Sequence, residues 1–331
     1  MPEELTAAIE SVLSQSYGRW ELCIADDYSD RVEVRGILAE FAARDSRIKV
    51  TRRREKGGIS RASNSAWEMA TGDYVCFLDH DDTLAPHALA YICEALSQNS
   101  GADLLYSDED KIGAQGQRFD PFFKPDWSPD LLLSENYVCH LLVIAQDLAR
   151  KSGFFDPAFD GSQDYDLILR ATEQARRIVH IPKVLYHWRA GAASTASSID
   201  NKRYALDAAK RALERCGRVE PGVVTGRWRM RYPIPEGSRV SIIIASGGRV
   251  DVLRTNLESI FGKTMYRDYE VVFADNSKGQ AIERLAREFQ ASHPNLRYLD
   301  SRDKPFNFSA INNAAARECD SPVLLFLNDD T

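Results

Sequence analysis

Leu5, Ala8, Ile9, Val12 and Leu13 recur at spacings of three and four, which predicts an amphipathic helix over 3–15. A short apolar run over 21–25 then reads as a strand ending in Asp26-Asp27. Val34, Ile37, Leu38 and Phe41 mark a second helix. A strand over 48–51 leads into a basic, glycine-containing loop over 52–58. A helix over 59–70 precedes an apolar strand from Asp73 to Leu78. Strands alternating with helices at these lengths predict an α/β fold built on a mainly parallel sheet with helices on both faces.

That last strand runs straight into Asp79-His80-Asp81-Asp82, the stretch around which the chain is organised. Carboxylates at the carboxyl end of a buried strand face the crevice where open α/β sheets bind ligands. Clustered Asp oxygens suit a hard divalent cation, Mg²⁺ or Mn²⁺. An acidic turn that merely caps the next helix is the plain alternative.

Downstream, 86–98 is predicted helical, and 102–106 is a strand ending in Ser107-Asp108-Glu109-Asp110. Residues 115–134 lose periodicity and carry Phe119, Phe122, Phe123 and Trp127, the pattern of a long surface segment lining a site. A strand is expected over 140–145, a helix after Asp164, and a strand over 179–186 broken at Pro182 and ending in His187-Trp188-Arg189. The Ala/Ser/Gly-rich stretch 190–198 is expected to be mobile, and a helix is predicted over 201–216 with Gly217 as its stop.

The acidic phrase returns. Leu325-Phe326-Leu327-Asn328-Asp329-Asp330 repeats it 249 positions later. At the same offset Asp26 falls on Asp275 and Asn64 on Asn313. A repeat this long is a duplicated domain and not a solenoid of short units. The expected division is a first domain over 1–216, a linker over 217–238 and the first half of a second domain over 239–331. The second copy opens with a strand, 240–245, that has no counterpart before residue 3. The first copy is therefore expected to lack its opening strand and the second to be truncated. The chain reads as a piece of a longer tandem protein, poorly soluble or inactive alone.

Composition changes this picture little. The chain has 331 residues, is 44% hydrophobic and 27% charged, and carries a net charge of −7. That balance gives no footprint for nucleic acid. No apolar run approaches the roughly 18–20 residues of a membrane span. Six cysteines without CxxC spacing read as buried free thiols of a reducing compartment. A cytoplasmic protein, peripheral on the inner face of the membrane, fits these features.

Taken together, Asp26-Asp27, Asn64, Asp79-His80-Asp81, Gln163-Asp164-Tyr165-Asp166-Leu167 and His187-Trp188-Arg189 resemble inverting family 2 glycosyltransferases of the GT-A fold. The tandem arrangement and Phe306-Asn307-Phe308-Ser309-Ala310-Ile311-Asn312-Asn313 are similar to bacterial enzymes that build surface polysaccharides. The resemblance implies a nucleoside-diphosphate sugar as donor and a glycan or lipid-linked glycan as acceptor. It implies that Asp26, Asp27 and Asn64 belong to the donor site and that Asp26 bonds the base. Asp79 would lie by ribose and metal, Asp81 would bind the metal, and His187 would be a third ligand. Asp82 would hold the loop. Lys56 and Arg61 would lie near the diphosphate. Asp164 would be the general base. Gln163 stands where the family usually has Glu, which touches the tuning of that base and not its presence. In the second copy Asp275, Asn313 and Asn328 would contact a donor, and Asp330 a metal. Two other classes compete: a nucleotide-sugar-binding module without catalysis, and a nucleotidyltransferase that makes nucleotide sugars.

Overall fold

The computed structural model describes residues 2–113, 115–190, 203–302 and 305–331. The chain divides into two units, at Tyr232 and Pro233.

The first unit opens with helix α1 (Pro2–Leu13), strand β1 (Leu22–Asp26), α2 (Val32–Arg44), β2 (Ile48–Arg52) and α3 (Gly58–Trp67). β1 and β2 pair in parallel, and the apolar stripe of α1 packs Leu5 and Ile9 with Leu38, Phe41 and Ile48. Next come β3 (Tyr74–Cys76), β4 (Thr83–Leu84), α4 (Ala88–Gln98), β5 (Leu104–Ile112), β6 (Arg118–Phe122) and α5 (Pro129–Leu132). The unit is completed by β7 (Leu142–Ala145), α6 (Gln146–Ser152), α7 (Gln163–Thr172), β8 (Ile178–Arg189), α8 (Arg203–Glu214), β9 (Arg218–Pro221) and β10 (Trp228–Arg231).

Six of these strands form one sheet in the order β3-β7-β5-β8-β4, with β6 on β5. β5 and β8 run parallel, and the other pairs are antiparallel. The first unit is thus more mixed than the strand–helix alternation predicts. Two further cores lie on opposite faces of β5 because successive side chains in a strand alternate. Leu104 and Tyr106 join Leu167 and Ile168 of α7, whereas Leu105 joins Ile92, Leu185 and Tyr186.

Three expectations shift here. β3 is only three residues long, at the edge of its sheet, with Tyr74 exposed. The acidic run Ser107–Asp110 does not follow a strand but lies inside β5, buried. Burial is tolerated because each acid meets a partner: Asp108 meets His180, Glu109 meets Lys124, and Asp110 meets both Arg118 and His187. Finally, β8 is not broken at Pro182. Its pairing steps from Ser107↔Ile181 to Asp108↔Val184, so Pro182, which has no N–H to donate, sits in a bulge.

The stretch 115–134 is not featureless, since it contains β6 and α5. The expected linker over 217–238 holds the antiparallel β9–β10 hairpin, which belongs to the first unit. The expected mobile stretch from 191 on, and the first two residues of the predicted helix over 201–216, lie outside the described residues.

The second unit contains β11 (Val240–Ser246), α9 (Val250–Lys263), β12 (Tyr269–Asp275), α10 (Ala281–Gln290), β13 (Leu296–Asp300), α11 (Phe308–Arg317) and β14 (Val323–Asn328). Its sheet, β13-β12-β11-β14, is entirely parallel. Ile242, Ile244, Val271 and Phe273 meet α9 and α10 on one face; Ile243, Val272 and Ala274 meet Ile311 and Ala315 of α11 on the other. β11 runs between β12 and β14. Among the described residues of the first unit, β1 pairs with β2 and β3 with β7, and no strand joins β1 to β3.

The packing predicts a stability contrast. Leu105 is 0% exposed at the centre of the larger sheet, so Leu105→Ala should destabilise the first unit by about 2–5 kcal/mol. Phe326, half exposed on β14, should change stability by about 0.5 kcal/mol or less on replacement by alanine. Urea unfolding of both variants measures this; equal losses would refute the burial assignment.

Candidate active site

The acidic turn Asp79–Asp82 bridges β3 and β4. Asp82 is its buried anchor, 1% exposed. Its Oδ2 accepts the Tyr186 hydroxyl at 2.6 Å and its Oδ1 accepts the Arg189 backbone N–H at 2.7 Å. Arg189 Nε also donates to the Asp81 carbonyl at 2.7 Å, and the Asp79 N–H donates to Tyr186 Oη at 3.2 Å. β8 therefore grips the turn at three of its four residues. Burial pushes the Asp82 carboxyl up to about 7 against the opposing effect of these hydrogen bonds. With Asp82 turned inward, Asp79 is left exposed and Asp81 half-exposed.

His140 stacks on Tyr186, ring centroids 4.6 Å apart. Among the described residues, Asp79, Asp82 and His140 form the group whose possible ligand atoms all lie within 4.8 Å of one another. Asp81 and His187 do not join that group. His187 lies on β8 opposite Thr83 of β4, beside the turn in the sheet. It is buried, with Nδ1 2.6 Å from Asp110 Oδ1. Asp110 is held in turn by Arg118 Nε at 2.6 Å. Burial lowers the pKa of His187 more than Asp110 raises it, which favours the neutral ring. An acidic partner on Nδ1 fixes the proton there and leaves Nε2 unprotonated, the form in which imidazole binds metals.

Asp164 is the second residue of α7. The start of this helix is well fixed. Asp166, 1% exposed, is bonded by Arg170 at 2.6 Å and Arg215 at 2.6 Å, and Arg170 also donates to the carbonyls of Gly153 and Phe154. Burial raises the pKa of Asp164, His140 opposes that rise and Asp79 adds to it. The carboxyl of α7, the imidazole and the acidic turn thus act on one another electrostatically.

The remaining predicted residues divide. Asp26 ends β1, buried; Oδ1 accepts the Ser29 N–H at 2.8 Å and Oδ2 lies 3.3 Å from Arg52 Nε without a hydrogen bond. Asp27 accepts the N–H groups of Gly57 and Gly58, both at 2.9 Å, and pairs with Arg53 at 2.8 Å. It shapes the basic loop, where Gly58 takes φ +82° and a Cβ would meet Asp160 at 2.7 Å. Lys56 pairs with Asp30 at the surface, and among the described residues Arg61 donates to the Gly57 carbonyl, at 3.4 Å. Asn64 forms two hydrogen bonds to the backbone of Phe155, 2.8 and 3.0 Å, latching α3 to the loop before α7.

In the second unit Asp275 is fully buried, accepting the Ser277 N–H at 2.8 Å and the Tyr298 hydroxyl at 2.7 Å. Asn313 is exposed on α11. Arg249 reaches Asp329 at 3.3 Å and Asp330 at 2.8 Å, holding the Asp330 carboxyl below its usual range. Arg249, Asp329 and Asp330, with Asn328 and Phe306, line a cleft of about 420 Å³, and Asp275 and Asn313 lie outside that lining.

Sequence reasoning passed over Tyr186, His140, Asp110, Asn136 and Arg249. Tyr186 and Asp110 adjoin predicted features, and the alternation along β8 and β5 could have marked them. His140, expected to open the strand over 140–145, instead lies with Asn136 in the loop before β7, which starts at Leu142. The six cysteines are free thiols, each partly exposed.

The family model described as "Glycosyl transferase family 2" matches residues 2–130 and again 241–331. "Uncharacterized protein y4gI" of Sinorhizobium fredii is 43% identical over 342 residues, covering 99% of this chain and 37% of that protein. "O-antigen biosynthesis protein RfbC" of Myxococcus xanthus is 42% identical over 332 residues, covering 98% of this chain and 26% of that protein. The chain thus spans well under half the length of either relative. Among solved structures, S. aureus TarS 1-349 in complex with UDP-GlcNAc is 17% identical with TM-score 0.51, covering 63% of this chain and 61% of that one. Mannosyltransferase PcManGT from Pyrobaculum calidifontis, in complex with GDP-Man and Mn²⁺, is 16% identical with TM-score 0.50, covering 65% and 61%. At such identity these likenesses establish the shared fold alone. On the family match and the fold together, the chain belongs to glycosyl transferase family 2.

Proposed function

We propose that the first unit transfers a sugar from a nucleoside-diphosphate sugar to a growing cell-surface glycan, with inversion at the anomeric carbon. The observation that carries this is an open acidic turn whose Asp79 lies beside His140, both within electrostatic reach of a half-buried carboxyl of raised pKa, Asp164. A binding module has no need of the second carboxyl.

Asp164 accepts the proton of the acceptor hydroxyl as that oxygen bonds to the anomeric carbon. The bond from that carbon to the phosphate oxygen breaks on the opposite face, and the nucleoside diphosphate leaves. Asp79, Asp81 and His187 would hold a Mg²⁺ or Mn²⁺ ion. Carboxylate oxygens and a neutral imidazole are the right donor types, but Asp81 lies 3.7 Å from His80 Nδ1 and neither Asp81 nor His187 stands in the close group of Asp79, Asp82 and His140, so the three would have to draw together around an ion. When bound, the ion neutralises charge on the diphosphate leaving group. Asp82 is excluded from this set because both of its oxygens serve the turn. Asp26, with an unsatisfied Oδ2, receives the base of the donor.

The two separate family matches support a duplicated domain, with residues 239–331 as a second copy. Its cleft, lined by Arg249, Asn328, Asp329 and Asp330, is the candidate second donor site; Asp275 and Asn313, expected to contact a donor, do not line it. There Arg249 already meets Asp330, so a metal at this turn would have to displace it. The relative named for O-antigen biosynthesis supports a glycan or lipid-linked acceptor, and the enzyme would work at the cytoplasmic face of the membrane. No described helix is long and apolar enough to cross a membrane.

Metal removal is the direct test. With a panel of UDP- and GDP-sugars, excess EDTA should abolish transfer and Mn²⁺ restore it. Asp81→Ala should lose most activity with an unchanged circular dichroism spectrum. Full turnover in EDTA would refute the metal assignment.

Asp164→Asn separates base from binding. It should lower kcat by about 10²–10⁴-fold with donor KM little changed. Because burial raises the Asp164 pKa, and the base acts only when ionised, kcat should fall with falling pH through a midpoint above the ordinary aspartate value of about 4. Loss of donor affinity with turnover retained would make Asp164 a binding residue instead.

A further inference from the structure

Asp164 is held by a loop that lies between α5 and β7. Asn136 Nδ2 donates to Asp164 Oδ2 at 2.8 Å. Among the described residues, the side-chain hydrogen bonds to this carboxylate all fall on Oδ2: Asn136, and at 4.0 Å the Cys139 thiol. The Asn136 amide cannot turn over freely, because its Oδ1 accepts the Cys139 backbone N–H at 3.2 Å. An oxygen fixed on a donor obliges the NH₂ group to face the carboxylate.

The loop itself is rigidly bedded. Tyr137 is buried against Tyr106, ring centroids 5.7 Å apart, and its hydroxyl accepts the Ser128 N–H at 2.9 Å. Buried Lys124 donates to the Val138 carbonyl at 2.7 Å and to the His140 carbonyl, and pairs with Glu109 at 3.2 Å. Glu109 in turn accepts the His140 N–H at 3.2 Å. Asn136 is thus presented from a segment stitched to β5 by a buried ion pair.

We propose that Asn136 is the positioning residue of the catalytic base: it pins Oδ2 of Asp164 and leaves Oδ1 as the oxygen that takes the acceptor's proton. The inference rests on Asp164 being that base. The residue type suits the task. A carboxylate that must accept a proton needs a firm orientation without a full positive charge beside it, because a guanidinium at this distance would depress its basicity. A neutral amide orients and stabilises the ionised form more mildly. The other groups acting on Asp164 are His140 and the backbone N–H groups of Tyr165 and of Asp164 itself, which favour ionisation, Asp79, which opposes it, and the Cys139 thiol.

The test uses the full chain labelled with [¹³Cγ]aspartate. The carboxyl resonance missing from Asp164→Asn identifies Asp164, and its pH midpoint is followed by NMR. Asn136→Leu removes the donor with little change of volume, and the midpoint should rise by about one unit. Asn136→Asp keeps the shape but sets a second carboxylate against the first; the pair then shares a proton and the midpoint should rise further. If Asn136→Leu does not fold, Asn136→Asp decides alone. With the donor that supports turnover, either variant should lower kcat by about tenfold or more with donor KM within about twofold. A midpoint unchanged in the folded variants, or a kcat equal to that of the parent, overturns the proposal. Turnover that survives Asp164→Asn removes the base role itself while leaving the midpoint shift in place, so the two readings fail separately.

Discussion

The acidic turn exists because Asp82 is buried beneath it. An unpartnered carboxylate at 1% exposure would be costly. The Tyr186 hydroxyl and the Arg189 N–H offset part of that cost, and burial still holds the carboxyl's pKa at about 7. The consequence reaches beyond Asp82. Tyr186 and Arg189 belong to β8, so the turn is fastened to a strand paired along its length with β5. With one carboxyl drawn inward, its neighbours Asp79 and Asp81 are turned outward. One buried group sets the direction of two exposed ones.

β5 and β8 support the rest of the site by the same means. β5 carries three acids in sequence, an unusual load for a central strand. Each has a cation or histidine partner, and each pair places something useful. Asp110 sets the tautomer of His187. Glu109 and Lys124 bed the loop that carries Asn136 and His140. Asp108 bonds His180 Nε2 at 2.8 Å, and His180 stacks on Tyr106 in the core. Removing one member of such a pair strands the other in a poorly solvated place, so these residues are expected to vary together and not singly.

The two units show how a repeated pattern acquires different surroundings. Asp26 and Asp275 both end a strand and are both buried, yet Asp275 has a tyrosine hydroxyl on Oδ2 where Asp26 has an unsatisfied oxygen. Each acidic turn meets an arginine, but in different ways. Arg189 holds the first through the Asp81 carbonyl and not through its carboxylate, which lies 3.7 Å from His80 Nδ1. Arg249 meets the carboxylates of the second directly. Likeness in sequence therefore does not carry likeness of electrostatics, and the second cleft needs its own account.

The sequence by itself determined the α/β class, the repeat, the position of the acidic turn and the place of Asp164 at a helix start. Each of these is local: apolar spacing fixes an element, and an Asp at a strand end or in a helix's first turn needs no distant partner to be noticed. Pairing over long separations was not legible. Nothing in Ser107–Asp110 announces that these acids are buried, because the partners that permit it, Lys124, His180 and His187, lie 15 to 77 positions away. Nor could spacing show that Pro182 sits in a bulge and not at a strand's end, since the ladder partner decides that. Tertiary structure alone decided which Asp of the turn is buried, which histidine nitrogen is free, and that an asparagine in an unpatterned loop meets the carboxylate of α7. Burial and hydrogen-bond geometry are properties of the packed chain, and they, not residue type, assign each carboxylate its part.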